Sequence, residues 1–115
     1  MTNRTYNICI PIFNEAENVE KLIEKLDKFL QDSDNKNIFN IVFYDDGSTD
    51  NTVEIIKKYN KVTLLEGKEN RGLGHAVKNL IDFSIEKNVD GIFKIDGDNQ
   101  MKVSEINNFI QYEEF

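Results

Sequence analysis

The feature that most limits what this chain can fold into is a strict alternation between two hydrophobic periods. Residues 6–13, YNICIPIF, form a short run rich in β-branched and aromatic side chains, the pattern of a buried strand. Val19, Leu22, Ile23, Leu26 and Leu30 then recur at the three-and-four spacing of an amphipathic helix. Asn14 with Glu17 three residues on reads as a capping box at its start. The pattern repeats with IFNIVFY (38–44), then Val53, Ile56 and Tyr59, with Ser48 or Asp50 as the helix cap. A third strand is predicted over 62–66 and a third helix from Leu73, Ala76, Val77, Leu80, Ile81 and Ser84. GIFKI (91–95) gives a fourth strand, and Val103, Ile106, Phe109 and Ile110 mark a last helix. Four βα units in series predict one α/β domain over 1–115: a Rossmann-like, three-layer α/β/α arrangement around a mostly parallel sheet.

Bulk properties narrow the partners. Carboxylates outnumber lysines plus arginines by 21 to 14, for a net charge of −7. No basic stripe is present to follow a phosphate backbone, so nucleic acid is not an expected partner. No apolar run approaches the roughly 18 residues of a membrane span, and residues 1–6 do not read as a secretory leader. The single cysteine, Cys9, cannot form an internal disulfide and fits a reducing, cytoplasmic setting.

In an open parallel sheet, ligands bind outside the carboxyl ends of the strands. Those ends read Phe13-Asn14-Glu15, Asp45-Asp46-Gly47-Ser48 and Asp96-Gly97-Asp98-Asn99-Gln100. Five carboxylates on one edge repel one another unless a cation is bound, which predicts a divalent metal there. Each motif alone has a plainer explanation, since Asp-Gly is a common turn dipeptide and Asp and Asn are favoured helix caps. Gly97 either lets the backbone approach a ligand or simply turns the chain. It is the acidic clusters at two strand ends of one topology that favour a ligand site.

At this point the residues resemble a known family. PIFNEAEN, YDDGSTDNT, NRGLGHA and IDGDNQ, in that order, are similar to the N-terminal part of family 2 glycosyltransferases of the GT-A fold. The resemblance is strongest to the polyprenyl-phosphate branch, which includes dolichyl-phosphate mannose synthase, and runs over essentially the whole chain.

The resemblance implies roles. Pro11, Phe13 and Glu15 fall where the family lines the nucleobase and ribose pocket, with Phe13 in place of the usual tyrosine. Asp45 and Asp46 match an aspartate pair of which one hydrogen-bonds the base; which of the two is left open. Arg71 either neutralises charge on phosphate or near the base, or is a solvated loop cation. Asp96, Asp98 and Gln100 match the ligands of a divalent ion, Mg²⁺ or Mn²⁺, bridging the diphosphate of a UDP- or GDP-linked sugar, and Gly97 stands between the two aspartates where alanine is common. That ion would stabilise the leaving nucleoside diphosphate.

The acceptor implied by this branch is a lipid phosphate at the cytoplasmic face of a membrane, with a saccharide as the alternative. The family's catalytic base and acceptor site belong to a second half that does not follow the fourth strand here. The chain is therefore expected to be part of a longer product or of an assembly, inactive alone and prone to homo-oligomerise through an exposed sheet edge. Two alternatives stay open: a non-catalytic assembly fragment, and a Mg²⁺-binding receiver-like signalling domain. His75, alone in a predicted first helical turn, reads as a cap or surface residue. Gly72 and Gly74 read as turn residues and not as a dinucleotide fingerprint.

Overall fold

The computed structural model describes residues 3–32 and 37–97. Four strands and three helices alternate: β1 (Thr5–Ile12), α1 (Val19–Asp32), β2 (Ile38–Asp45), α2 (Thr52–Ile56), β3 (Val62–Glu66), α3 (Leu73–Glu86) and β4 (Gly91–Lys94). The helix expected from Val103 to Ile110 lies outside the described residues, as do Asp98 and Gln100.

All neighbouring strands are parallel, in the order β3-β2-β1-β4. The chain steps from β1 to β2 to β3 in one direction and then crosses back over both to reach β4. Because parallel crossovers are right-handed, that reversal puts α3 on the opposite face from α1 and α2. The cores record the same division. Ile8, Ile10 and Ile12 of β1 and Ile41 and Phe43 of β2 pack with Val19, Leu22, Ile23, Leu26 and Ile56 of α1 and α2. The intervening residues Cys9, Val42 and Tyr44 point the other way and meet Ala76 and Leu80 of α3. The expected three layers are present, and strict period-2 alternation along β1 and β2 is what sorts them. Each fully buried aliphatic side chain here contributes roughly 1.5–3 kcal/mol.

Two polar features sit inside this core with partners. Asn7 donates to Ser84 Oγ (2.9 Å) across the β1–α3 contact, and Ser84 Oγ donates to the Leu80 carbonyl (2.9 Å). Cys9 Sγ lies 3.5 Å from the same hydroxyl. Burial pushes the Cys9 thiol above its ordinary range, and the Ser84 contact only partly offsets that.

Pro11 stands in a central strand, where proline normally removes a ladder bond. Odd residues of β1 bond towards β4: the Thr5 and Cys9 carbonyls accept from Asp90 and Ile95. The β4 ladder ends at Cys9↔Lys94. At Pro11 there is no further β4 partner, so the missing N–H costs no strand pairing. No helix among the described residues is long and apolar enough to cross a membrane.

Candidate functional site

The parallel order brings the carboxyl ends of all four strands to one edge, and the loops that leave them are tied together by side-chain hydrogen bonds. The β1–α1 loop does not cap its own helix in the manner expected. Asn14 adopts a left-handed backbone (φ 51) and its Oδ1 accepts from the Thr49 and Asp50 amides (2.8 and 3.3 Å) of the β2–α2 loop. In return Ser48 Oγ accepts from the Asn14 amide (2.8 Å), Thr52 Oγ1 from the Glu15 amide (2.9 Å) and Asp50 from the Ala16 amide (3.2 Å). The capping box is thus replaced by a cross-loop stitch, and α1 begins only at Val19, whose amide donates to the Glu15 carbonyl (2.8 Å). The side chain of Glu15 accepts from Asn18 Nδ2 (2.8 Å). Neither Ser48 nor Asp50 caps α2 as N-cap residue; that position is Asn51, with no side-chain bond. Asp50 serves the turn instead, accepting from the Thr52 amide and hydroxyl. Desolvation tends to raise its pKa, but the bonds from Thr52 and Ala16 outweigh it and hold the carboxyl below its ordinary value.

Asp45 and Asp46 are both buried, at 2% and 5% exposure, and strand alternation sends them to opposite faces. Asp45 closes its own turn, accepting from the Ser48 amide (3.0 Å) and hydroxyl (2.5 Å). Asp46 reaches to the α3 side and accepts from two consecutive amides, Arg71 (3.0 Å) and Gly72 (2.8 Å). Gly47 beside it packs directly on that loop: a Cβ there would lie 2.6 Å from the Glu69 carbonyl carbon and 2.8 Å from the Asn70 nitrogen. Both buried carboxylates of this pair are therefore met by N–H and O–H donors. Among the described residues no three acidic, His or Cys side chains converge on one point that could hold an ion.

The end of β4 is different. The Asp96 side chain is 66% exposed and pairs with Lys94 Nζ at 3.0 Å. Gly97, next in line, is buried against β1, where a Cβ would sit 3.2 Å from the Pro11 carbonyl oxygen and from Ile12. Pro11, Asp96 and Gly97 are thus brought together, while Asp98 and Gln100 lie outside the described residues. Asp96 offers an accessible hard oxygen donor of the kind Mg²⁺ or Mn²⁺ takes. Phe13, just past β1, is 40% exposed at this edge, so its ring face is accessible.

Beyond the residues singled out in the sequence, a 420 Å³ cleft opens between the ends of β2 and β3 and the start of α3. Tyr44, Gly67, Lys68, Glu69, Arg71 and His75 are among its walls. His75 meets the Tyr44 ring edge-on (centroids 6.1 Å apart), so it is a cleft wall and not a helix cap. Arg71 forks onto Glu69 Oε1 through Nε (3.0 Å) and a terminal nitrogen (2.8 Å). Gly72 adopts φ 96, ψ 169, a backbone that a side chain would strain, as expected of a turn residue. Gly74 has no positive φ and open space at its Cβ, so its role as a turn glycine is not borne out. The signal for Tyr44 was available in strand parity, which places it on the face opposite Phe43; nothing in the order of residues 66–69 announces a cleft.

Known proteins share this arrangement. The chain superposes on the Staphylococcus aureus protein TarS, residues 1–349, in complex with UDP-GlcNAc with a TM-score of 0.72, at 24% identity over 96% of this chain and 31% of that one. It also superposes on the Pyrobaculum calidifontis mannosyltransferase PcManGT in complex with GDP-Man and Mn²⁺, with a TM-score of 0.58 at 26% identity over 71% of this chain and 25% of that one. In sequence it is 30% identical to the UDP-N-acetylglucosamine–dolichyl-phosphate N-acetylglucosaminyltransferase of Methanococcus voltae, over 96% of this chain and 48% of the relative. It is 34% identical to an uncharacterized protein of Methanocaldococcus jannaschii, over 84% of this chain and 42% of that protein. The chain therefore spans less than half the length of these curated relatives. The family model for glycosyl transferase family 2 matches residues 7–114, nearly the whole sequence. A parallel sheet in the order β3-β2-β1-β4, acidic strand ends and that match together place the chain in glycosyl transferase family 2.

Proposed function

We propose that this chain is the nucleotide-sugar-binding part of a metal-dependent glycosyltransferase that transfers a hexosyl group to a lipid phosphate or a saccharide. The observation that carries the reading is the placement of β4 directly beside β1, which seats Gly97 against Pro11 and brings Asp96 to the carboxyl edge of the sheet. The names of relatives support it: the Methanococcus protein is named for UDP-N-acetylglucosamine as donor and dolichyl phosphate as acceptor. A dolichyl-phosphate β-glucosyltransferase of Dictyostelium discoideum is 31% identical over 63% of this chain and 25% of its own length. Family membership removes the receiver-like alternative.

In this reading Pro11, Phe13 and Glu15 frame the base and ribose, with the Phe13 ring stacking. Asp96, Asp98 and Gln100 hold Mg²⁺ or Mn²⁺, which supplies charge stabilisation to the departing diphosphate. Lys94 pairs with the exposed Asp96 carboxylate, which the cation would engage when bound. Arg71 meets negative charge on the nucleotide. The complete protein works at the cytoplasmic face of a membrane when its acceptor is a lipid. A homo-oligomer burying the β4 edge is part of this reading, and a monomer by light scattering at high concentration would remove that part.

The test is calorimetric titration with UDP and GDP, with and without Mn²⁺. Binding of one nucleotide should require the metal and be lost in Asp98→Ala. Metal-independent binding with unchanged affinity in that variant would defeat the proposal. A thermal-shift titration reads the same site by mass action.

A further inference from the structure

Three Asp-Gly pairs occur in the chain, at 46–47, 90–91 and 96–97. Such a pair is prone to rearrange its own backbone, because glycine puts no side chain in the way of its amide nitrogen. That nitrogen attacks the aspartate carboxyl carbon, a C–N bond forms, and the amide hydrogen leaves with a carboxyl hydroxyl as water. The five-membered imide then takes up one water and opens at either carbonyl. It returns aspartate or leaves isoaspartate, with no oxidant and no net change in mass. What a fold controls is whether the carboxyl group is free to swing onto the nitrogen.

The structure restrains the three pairs unequally. Asp46 is 5% exposed, and its Oδ1 and Oδ2 accept from the Arg71 and Gly72 amides. Gly47 is wedged against the Glu69–Asn70 backbone. Asp90 is exposed, but its Oδ2 accepts from the Thr5 amide (2.7 Å) while its own amide donates to the Thr5 carbonyl (2.7 Å). Gly91 behind it already belongs to β4, opposite Tyr6 of β1. Asp96 lies past the end of that ladder. Its side chain is 66% exposed and its partner Lys94 is 43% exposed, and an ion pair so open to solvent restrains little. Gly97 packs against Pro11 and Ile12, so the amide nitrogen is held in place while the carboxylate beside it moves.

We propose that Asp96-Gly97 is a site of spontaneous isoaspartate formation in the folded protein, and that the fold protects the other two Asp-Gly pairs. The product puts one extra methylene into the main chain at position 96 and shortens the carboxylate arm by the same group. The consequence rests on the nucleotide-site reading above: the displaced oxygen no longer meets the metal, and donor binding is lost as the protein ages.

The test incubates the whole folded chain at neutral pH and digests samples with trypsin over time. Cleavage after lysine releases each pair in its own peptide, 37–57, 88–94 and 95–102, and fragment-ion mass spectrometry counts the isoaspartyl form of each. Asp96 should isomerise about tenfold faster than Asp90 and about a hundredfold faster than Asp46, roughly tenfold for each charge-assisted bond that must open first. In urea the three rates should converge. A lead by Asp90 or Asp46, or three equal rates in the folded chain, overturns the proposal. An order that persists unchanged in urea overturns it too, since it then comes from neighbouring residues and not from the fold. The consequence is read by calorimetry with UDP and GDP: Mn²⁺-dependent binding should fall in step with isoaspartate at position 96, and binding that survives full conversion overturns that part. If the fresh chain binds neither nucleotide, the nucleotide-site reading falls, while the order of the three rates still decides the proposal.

Discussion

The ends of β2 and β4 carry similar acidic sequences and have opposite characters. At the end of β2, Asp45 and Asp46 are buried and every carboxylate oxygen accepts at least one hydrogen bond from the turn or the neighbouring loop. At the end of β4, Asp96 stands two-thirds exposed with one flexible lysine for company. Two Asp-Gly sequences at equivalent places in one sheet thus differ: the first ties loops together and the second leaves an oxygen donor accessible. The difference teaches that like sequences at strand ends spend their carboxylates differently, one on the backbone of its own and a neighbouring loop, the other facing solvent.

That contrast can be broken most sharply at Gly47. Its φ of +77 and the 2.6 Å approach of the Glu69 backbone leave no room for a side chain. Gly47→Ala should lose about 3 kcal/mol in urea unfolding, through strain and displacement of the 69–72 loop. Asp45→Ala should lose about 2 kcal/mol, because a part-buried amide and hydroxyl of Ser48 are left without their acceptor. Asp96→Ala should fall within about 0.5 kcal/mol of the parent, as exposed ion pairs contribute little. Equal losses at Asp45 and Asp96 would erase the distinction between the two strand ends.

The smallest effect concerns acid. Asp50 has a folded-state pKa below its ordinary value of 3.8, so its contribution is complete above that value and is lost as the pH falls through the lower, folded one. Stability curves of the parent and Asp50→Asn should converge as pH drops below about 3.8 and stay separated above it. Curves that run parallel through that range would show that Asp50 does not hold the turn.

The architecture was legible because it depends on periodicity, which burial enforces residue by residue. β3 matches its expected span, and β1, β2, β4 and α3 differ only at their ends. The long-range loop contacts were not legible. Asn14 looked like a helix cap because N-cap chemistry is local, and sequence spacing carries no sign that Thr49 and Asp50 compete for the same oxygen. Asp45 and Asp46 were recognisable as a pair, yet their division between two faces follows from strand register, which had to be seen. The donors that meet Asp45 and Asp46 were not legible either: a chain of letters shows charges but not the amides and hydroxyl aimed at them. His75 and Tyr44 were missed as cleft walls because their contact joins β2 to the first turn of α3, across a crossover.

The stitching of the β1–α1 loop to the β2–α2 loop, from Asn14, Glu15 and Ala16 to residues 48–52, bears on more than stability. Loops that must be ordered by a ligand subtract that ordering from the affinity they deliver. Here the ordering is completed when the sheet forms, so a ligand meets a rim already in shape. Under the proposed reading, association should then be limited by encounter and by release of Asp96 from Lys94 and of Arg71 from Glu69. Little heat-capacity change should be left over from loop folding.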